Sequence, residues 1–197
     1  MMPLFLGFLA FGGMAFSDFW SALRKRKGGR LLFSGCCLLL AVATLLLILQ
    51  QDFSSLLVEK WRFLFLFPAI LCLLLLIYTI FFALPANGSS PFPPDSSADA
   101  MIPLVQTGVY ALCRHPGVLW LSGFYLSLWG FCGGFRTGIA AIWFSVLDLL
   151  YVGWQDRFVF PKTIRSYASY QLSTPFLIPS RSSLLCCFRD YFPVRKK

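Results

Sequence analysis

Long apolar stretches, separated by short polar and basic stretches, dominate this chain. Five of them approach the length of a membrane span: residues 3–23, 31–49, 63–84, 117–135 and 138–154. A hydrocarbon core about 30 Å thick requires about 20 residues of helix, in which every backbone polar group is bonded within the segment. The pattern therefore predicts an all-α integral membrane protein, a helical bundle of about five transmembrane helices.

The connections between these segments predict how the chain is organised. Only Arg136 and Thr137 separate the fourth segment from the fifth, so we expect a tight C-terminal helical hairpin. Residues 85–100 are rich in Pro, Ser and Gly, which predicts a flexible loop. The predicted units are three N-terminal transmembrane helices (1–84), the loop (85–100), a core that contains the hairpin (101–180) and a basic juxtamembrane tail (181–197).

Composition supports a membrane protein and argues against a nucleic-acid-binding one. Hydrophobic residues make up 58% of the chain, above the roughly 45–50% of soluble domains. The formal net charge is +9 although only 13% of residues are charged. Because the basic residues lie between apolar runs, and not along one folded face, we expect no nucleic acid as a partner. The expected partners are membrane lipids and a lipophilic small-molecule substrate, and the oligomeric state stays open.

The distribution of Lys and Arg predicts the orientation in the membrane. Five basic residues lie between residues 24 and 30, and five spans would place them on the same side as Arg114 and the basic C-terminal tail. Only Lys60, Arg62 and Arg136 would lie on the other side. Since the basic side is normally cytoplasmic, we expect the N-terminus outside and the C-terminus in the cytoplasm.

The chain offers few conventional combinations of metal ligands. The chain has 7 cysteines, none in a C-x-x-C pair, together with a single histidine and a single glutamate, Glu59. A conventional site with several Cys, His or carboxylate ligands is difficult to assemble from this set. We predict no structural or catalytic metal.

The polar triplet Arg114-His115-Pro116 opens the predicted fourth helix. Proline is tolerated in the first turn of a helix, and the free N–H groups there attract anions. An anionic ligand could dock at this position. Equally, an arginine before a helix is an ordinary membrane-surface anchor, and a lone histidine is often only a hydrogen-bonded interfacial group.

Residues 104–116, LVQTGVYALCRHP, resemble a signature of the isoprenylcysteine carboxyl methyltransferase and phospholipid methyltransferase superfamily of membrane enzymes. That superfamily continues with a helical hairpin, an acidic pair, a Tyr-x-x-Tyr pattern and closing prolines. The step from the second residue of the acidic pair to the first tyrosine also matches. The corresponding residues here are Gln155 and Asp156, Tyr167 and Tyr170, and Pro175 with Pro179.

The resemblance implies an S-adenosylmethionine-dependent methyltransferase whose core is residues 101–180. The acceptor would be lipophilic: a prenylcysteine-like carboxylate, a phospholipid amine or a thiol. The cofactor would lie at the cytoplasmic face, between the R-H-P triplet and the acidic pair. The implied catalytic residues are Arg114, His115 and Asp156. The implied cofactor-binding residues are His115, Pro116, Gln155, Asp156, Tyr167 and Tyr170.

The chain also departs from the superfamily pattern. Val118 and Trp120 stand where a tyrosine and a glycine are common, and Gln155 replaces a carboxylate that could pair with a charge. The alternative is therefore a non-catalytic membrane scaffold protein derived from this family. A small transporter is a third possibility, although few polar residues lie inside the apolar segments to line a pathway.

Two aspartates fall within apolar segments. Asp148 lies in the fifth segment, where an ionised carboxylate costs about 2.5 to 3.5 kcal/mol at the membrane centre and is a functional candidate. It lies seven residues before Gln155, which puts both on one helical face. Alternatively, Asp148 pairs with a neighbour near the interface. Asp18, close to the basic residues 24–27, is expected to be a simple interfacial charge.

Overall fold

The computed structural model describes residues 1–24, 28–50, 59–83 and 103–191. The predicted flexible loop at 85–100 and the end of the predicted basic tail at 192–197 lie outside the described residues. Within the described ranges the chain is helical and contains no strand, which confirms the all-α prediction. Four helical stretches are long and apolar enough to cross a membrane: Met2–Trp20, Leu31–Leu49, Phe63–Ala83 and Phe135–Thr163.

Seven helices of seven residues or more organise the described chain. They are α1 (Met2–Arg24), α2 (Gly28–Leu49), α3 (Leu66–Ile77), α4 (Pro116–Cys132), α5 (Phe135–Trp154), α6 (Tyr167–Ser173) and α7 (Arg181–Tyr191). Helical turns at Glu59–Arg62 and Phe63–Phe65 precede α3, and a π-helical turn at Tyr78–Ala83 follows it. A second π-helical turn, Gln155–Val159, extends α5.

The predicted boundary between the fourth and fifth helices is wrong, whereas their predicted outer ends, 117 and 154, agree with the structure within one residue. Gly133 and Gly134, with φ of 69° and 77°, form the turn that was expected at Arg136 and Thr137. Glycine adopts positive φ without steric cost, whereas the other two residues are compatible with helix and lie inside α5. As a result α4 has 17 residues, and a helix of that length is about 25 Å long, somewhat shorter than a hydrocarbon core.

The core lies where α1, α2, α4 and α5 meet. Phe144 of α5 is fully buried, and its ring packs 5.0 Å from that of Tyr125 of α4. The hydroxyl of Tyr125 lies 2.7 Å from Oγ1 of Thr44 of α2, so a hydrogen bond joins these two helices. Gly7 of α1 lies against the Phe144 ring. A small residue here allows the backbones of α1 and α5 to approach closely.

Two ends of the bundle can be distinguished by their contacts. At one end Arg62 donates from Nε to the carbonyl oxygen of Phe131, 3.1 Å away. At the opposite end the Tyr110 hydroxyl donates to the carbonyl oxygen of Thr79, also 3.1 Å away. The R-H-P triplet, the end of α1 and the extension of α5 all lie at this second end, and the candidate site is built there.

Candidate functional site

The R-H-P triplet lies in an extended connection that is hydrogen-bonded to the segment after α6. The backbone N–H of Arg114 donates to the carbonyl oxygen of Pro175 at 2.9 Å, and that of His115 donates to Phe176 at 3.3 Å. Pro116 is buried and opens α4, where its lack of an N–H costs no helical hydrogen bond. The structure therefore brings together the R-H-P triplet and the closing proline segment, which are far apart in sequence.

Asp156 and Arg114 form a bidentate ion pair. Nε of Arg114 lies 2.9 Å from Oδ1 of Asp156, and Nη2 lies 3.1 Å from Oδ2. The remaining terminal nitrogen of Arg114, Nη1, donates to the carbonyl oxygens of Gln171 and Thr174 at 2.8 and 2.9 Å. The guanidinium therefore connects the end of α5 to α6 as well as to the R-H-P triplet, and a planar fork with five N–H donors suits this geometry.

Three further side chains hydrogen-bond the Asp156 carboxylate. The Tyr167 hydroxyl donates to Oδ1 at 2.6 Å, and Nε2 of His115 lies 3.1 Å from the same oxygen. Nε2 of Gln171 lies 3.1 Å from Oδ2 and 3.0 Å from the carbonyl oxygen of Asp156. Together with Arg114, these side chains engage both carboxylate oxygens. Gln171 was missed by sequence reasoning, although its position directly after Tyr170 was a usable signal.

Aromatic rings fix the position of His115. Its imidazole is nearly parallel to the Phe160 ring at 5.8 Å and meets the Phe176 ring edge-on at 5.1 Å. The guanidinium carbon of Arg114 lies 5.6 Å from the centroid of Phe176, within cation–π range. Neither phenylalanine was expected at the site, because a single aromatic residue in an apolar chain carries no distinguishing signal.

Tyr167 and Tyr170 lie beneath the ion pair, both buried. The Tyr170 hydroxyl donates to the carbonyl oxygen of Tyr110 at 2.6 Å. Burial raises the pKa of both phenols above the ordinary value, and for Tyr167 the hydrogen bond to Asp156 raises it further. Both tyrosines are therefore neutral hydrogen-bond donors at neutral pH.

Gln155 points away from this cluster. Its amide nitrogen donates to Oδ2 of Asp18 at 2.5 Å and lies 2.8 Å from the Tyr151 hydroxyl. The two residues in place of the acidic pair thus face different partners: Asp156 faces the R-H-P triplet, and Gln155 faces α1. Asp18 is consequently more than the simple interfacial charge that the sequence suggested, because two side chains of the α5 region are hydrogen-bonded to it.

The two other departures from the superfamily pattern lie on α4. Val118 is buried, so a tyrosine hydroxyl there would need a partner inside the protein. Nε1 of Trp120 is buried and has no hydrogen-bond partner among the described residues. No group of three or more His, Cys, Asp or Glu side chains converges within residues 1–24, 28–50, 59–83 and 103–191.

Comparison with known proteins gives no further assignment. No family model, no curated protein and no solved structure matches the chain. The functional interpretation therefore depends on the residues themselves, and above all on the cluster of Arg114, His115, Asp156, Tyr167 and Gln171.

Proposed function

We propose that this chain is an integral membrane methyltransferase that uses S-adenosylmethionine and transfers its methyl group to a lipophilic acceptor. The acceptor classes that the resemblance allows are a prenylcysteine-like carboxylate, a phospholipid amine and a thiol. The observation that carries the proposal is the contact of His115 with Asp156, 41 residues further along the chain. The sequence resemblance selects both residues independently of the structure, and they are direct neighbours.

In this proposal α4 is a fifth, short membrane span. It packs against both α3 and α5, which are parts of apolar stretches long enough to cross a membrane. The end that holds the R-H-P triplet would face the cytoplasm, with the N-terminus outside and the C-terminus inside. The basic residues of the sequence support this orientation through the positive-inside rule.

The expected cofactor-binding residues differ in how free their polar atoms are to contact S-adenosylmethionine. His115, Asp156, Tyr167 and Tyr170 are buried, and their polar atoms named above are hydrogen-bonded to one another or to backbone. Gln155 is partly exposed, and its amide oxygen accepts no hydrogen bond from the described residues. We therefore assign the buried cluster to positioning, and a direct contact with the cofactor's polar end to Gln155.

The bound cofactor would supply an electrophilic methyl group on a sulfonium. The chain's own residues would orient the methyl donor and the acceptor and would exclude water. The Arg114–Asp156 pair fixes the relative position of α4, α5 and α6, and the rings around His115 keep that region apolar. Methyl transfer from a cation to a neutral or anionic acceptor disperses or neutralises charge, so orientation in a site without water favours it, and no covalent nucleophile is required.

A second candidate is a non-catalytic scaffold of the same architecture. The observation that favours it is that donors from the protein itself engage both carboxylate oxygens of Asp156. In this candidate the carboxylate therefore makes no direct contact with a cofactor. The loss of a carboxylate at Gln155 points in the same direction. Both candidates predict the same fold, and they differ in whether the cofactor binds.

Calorimetric titration of the detergent-purified protein with S-adenosylhomocysteine separates the two. For an enzyme we expect saturable binding that His115→Ala weakens by about tenfold, because the ring and its hydrogen bond to Asp156 are lost. Cys186→Ser, at an exposed position on α7, is the matched control and should bind as the parent protein does. If the parent protein does not bind saturably, the methyltransferase proposal is wrong and the scaffold remains.

A further inference from the structure

Helix α7 packs against the rest of the protein through a side that carries small and polar residues. Ser183 is buried and Cys187 is partly buried. Asp190 accepts a hydrogen bond from the backbone N–H of Gly108 at 2.9 Å. Residues 183, 187 and 190 follow one another at helical spacing, so they lie on one side of α7. A surface helix of a soluble protein has the reverse arrangement, because it buries its apolar side.

The side of α7 that faces away from the protein is apolar. Leu185 is 71% exposed and Phe188 is 60% exposed, and Leu184 and Tyr191 are exposed beside them. On a helix with 3.6 residues per turn, these four side chains lie within about one third of the circumference. They form a continuous surface, here called the apolar strip. A continuous apolar surface of this kind marks a contact with a membrane or with a partner.

Tyr191 places one end of the apolar strip at the depth of a membrane surface. Its hydroxyl lies 3.2 Å from the hydroxyl of Tyr78. Tyr78 lies five residues before the end of the apolar stretch Phe63–Ala83, which corresponds to about 7 Å of helix. Helices that lie in the plane of a membrane surface bury their apolar side about 5 to 10 Å deep. The depth of Tyr191 therefore matches that of such a helix.

Two arginines of α7 lie next to the apolar strip. Arg181 precedes it at the start of the helix, and Arg189 follows Phe188. Both arginines are exposed, and neither forms a hydrogen bond or an ion pair with any residue that the structure describes. Residues 181–197 contain five basic residues and a single acidic one, Asp190. Because a guanidinium binds phosphate oxygens in pairs, this charge favours an anionic phospholipid.

We propose that α7 is an interfacial helix that binds anionic phospholipids of the adjacent leaflet. The apolar strip lies among the acyl chains, and Arg181 and Arg189 bind the headgroups. The opposite side of α7 stays on the segment that leads to the R-H-P triplet, through Asp190 and Gly108. The proposal does not rest on methyl transfer, since none of these residues belongs to the expected cofactor-binding set.

Fluorophores on two sides of α7 test its orientation. The full-length protein would be reconstituted in nanodiscs of phosphatidylcholine and phosphatidylserine. It would carry an NBD fluorophore either on native Cys186 or on Phe188→Cys in a Cys186→Ser background, and these positions lie on nearly opposite sides of the helix. The Cys186→Ser protein, treated with the same reagent, gives the background from the remaining cysteines.

The expected results differ between the two positions. NBD on Phe188→Cys should be quenched by nitroxide-labelled acyl chains and shielded from aqueous iodide, whereas NBD on Cys186 should show the reverse. Quenching by iodide at both positions would overturn the insertion of α7, and the apolar strip would then be free for a protein partner.

The same fluorophore reports which lipid lies at the apolar strip. At equal mole fraction, nitroxide-labelled phosphatidylserine should quench NBD on Phe188→Cys more strongly than nitroxide-labelled phosphatidylcholine. Each basic residue near an anionic surface corresponds to about a fivefold preference. Arg181→Gln combined with Arg189→Gln should therefore lower the preference by about tenfold or more. Arg136→Gln, at the start of α5 and the opposite end of the bundle, is the matched control and should leave it unchanged.

A salt series tests the proposal without any variant. Raising the salt concentration screens exposed charges, so the preference for phosphatidylserine in the parent protein should fall. Equal quenching by the two lipids in the parent protein would overturn the anionic-lipid site, as would an unchanged preference in the folded double variant. Because no methyl donor or S-adenosylhomocysteine is added, failure here is distinguishable from failure of the methyltransferase proposal.

Discussion

The guanidinium of Arg114 and the carboxylate of Asp156 meet in a bidentate pair across 42 residues of sequence, with N···O distances of 2.9 and 3.1 Å. Both side chains are about nine-tenths buried, at 10% and 12% exposure. A pair in this environment gains much less from its own attraction than it would lose if one charge were left alone. It therefore acts mainly to specify how α4, α5 and α6 are joined.

Replacing Asp156 with asparagine should destabilise the fold strongly. Asp156→Asn leaves the Arg114 charge buried without a counter-charge, and we expect the free energy of unfolding to fall by about 3 kcal/mol. Denaturant unfolding in detergent micelles, followed by circular dichroism, measures the change. Asp190→Asn is the control, because its exposed carboxylate bonds only the Gly108 N–H in the described structure, and we expect a loss of about 1 kcal/mol or less. Equal effects of the two variants would contradict the structural role of Asp156.

The contact between α1 and α5 requires glycine at position 7. A Cβ atom on Gly7 would clash with the Phe144 ring, whereas one on Gly12 of the same helix would meet nothing within 4 Å. Because Phe144 is fully buried, its ring cannot move aside freely. We expect Gly7→Ala to cost about 1 to 3 kcal/mol and Gly12→Ala to be neutral or slightly stabilising. Thermal unfolding in detergent compares them, and a Gly7→Ala protein as stable as Gly12→Ala would contradict this packing.

The turn between α4 and α5 depends on the backbone freedom of Gly134. Its φ of 77° lies in the region that side chains with a Cβ atom rarely adopt. We expect Gly134→Ala to lower the free energy of unfolding by about 1 to 2 kcal/mol. Gly153→Ala, in the regular part of α5 with open space around the new Cβ, should be neutral or stabilising in the same unfolding assay. A neutral Gly134→Ala would show that the turn is formed differently.

Cysteine labelling tests the burial of the R-H-P connection. Cys113 is fully buried, and burial raises the pKa of its thiol to about 11. Since the thiolate is the reactive form, only a very small fraction of Cys113 is reactive at pH 8, and that fraction grows as the pH approaches 11. Cys186 on α7 is exposed. With maleimide at pH 8, followed by mass spectrometry, we expect Cys186 to be modified first and Cys113 to require denaturant. Rapid labelling of Cys113 in the folded protein would contradict the structure.

The apolar segments could be predicted from sequence because hydropathy adds up along contiguous residues. The predicted segments 3–23 and 31–49 agree closely with α1 and α2, which span Met2–Arg24 and Gly28–Leu49. The turn before α5 could not be predicted in the same way. Polarity pointed to Arg136 and Thr137, but the permissive backbone of Gly133 and Gly134 decided where the chain reverses.

The sequence by itself determined that the chain is helical and apolar, and it singled out Arg114, His115 and Asp156 as polar residues worth attention. Only the tertiary structure decided which side chains meet them. It made Gln171 a partner of Asp156 and turned Gln155 toward Asp18, 137 residues away. The physical reason is that a hydrogen bond between distant helices is set by their packing and by the extra residue of a π-helical turn, and neither leaves a local pattern in the sequence.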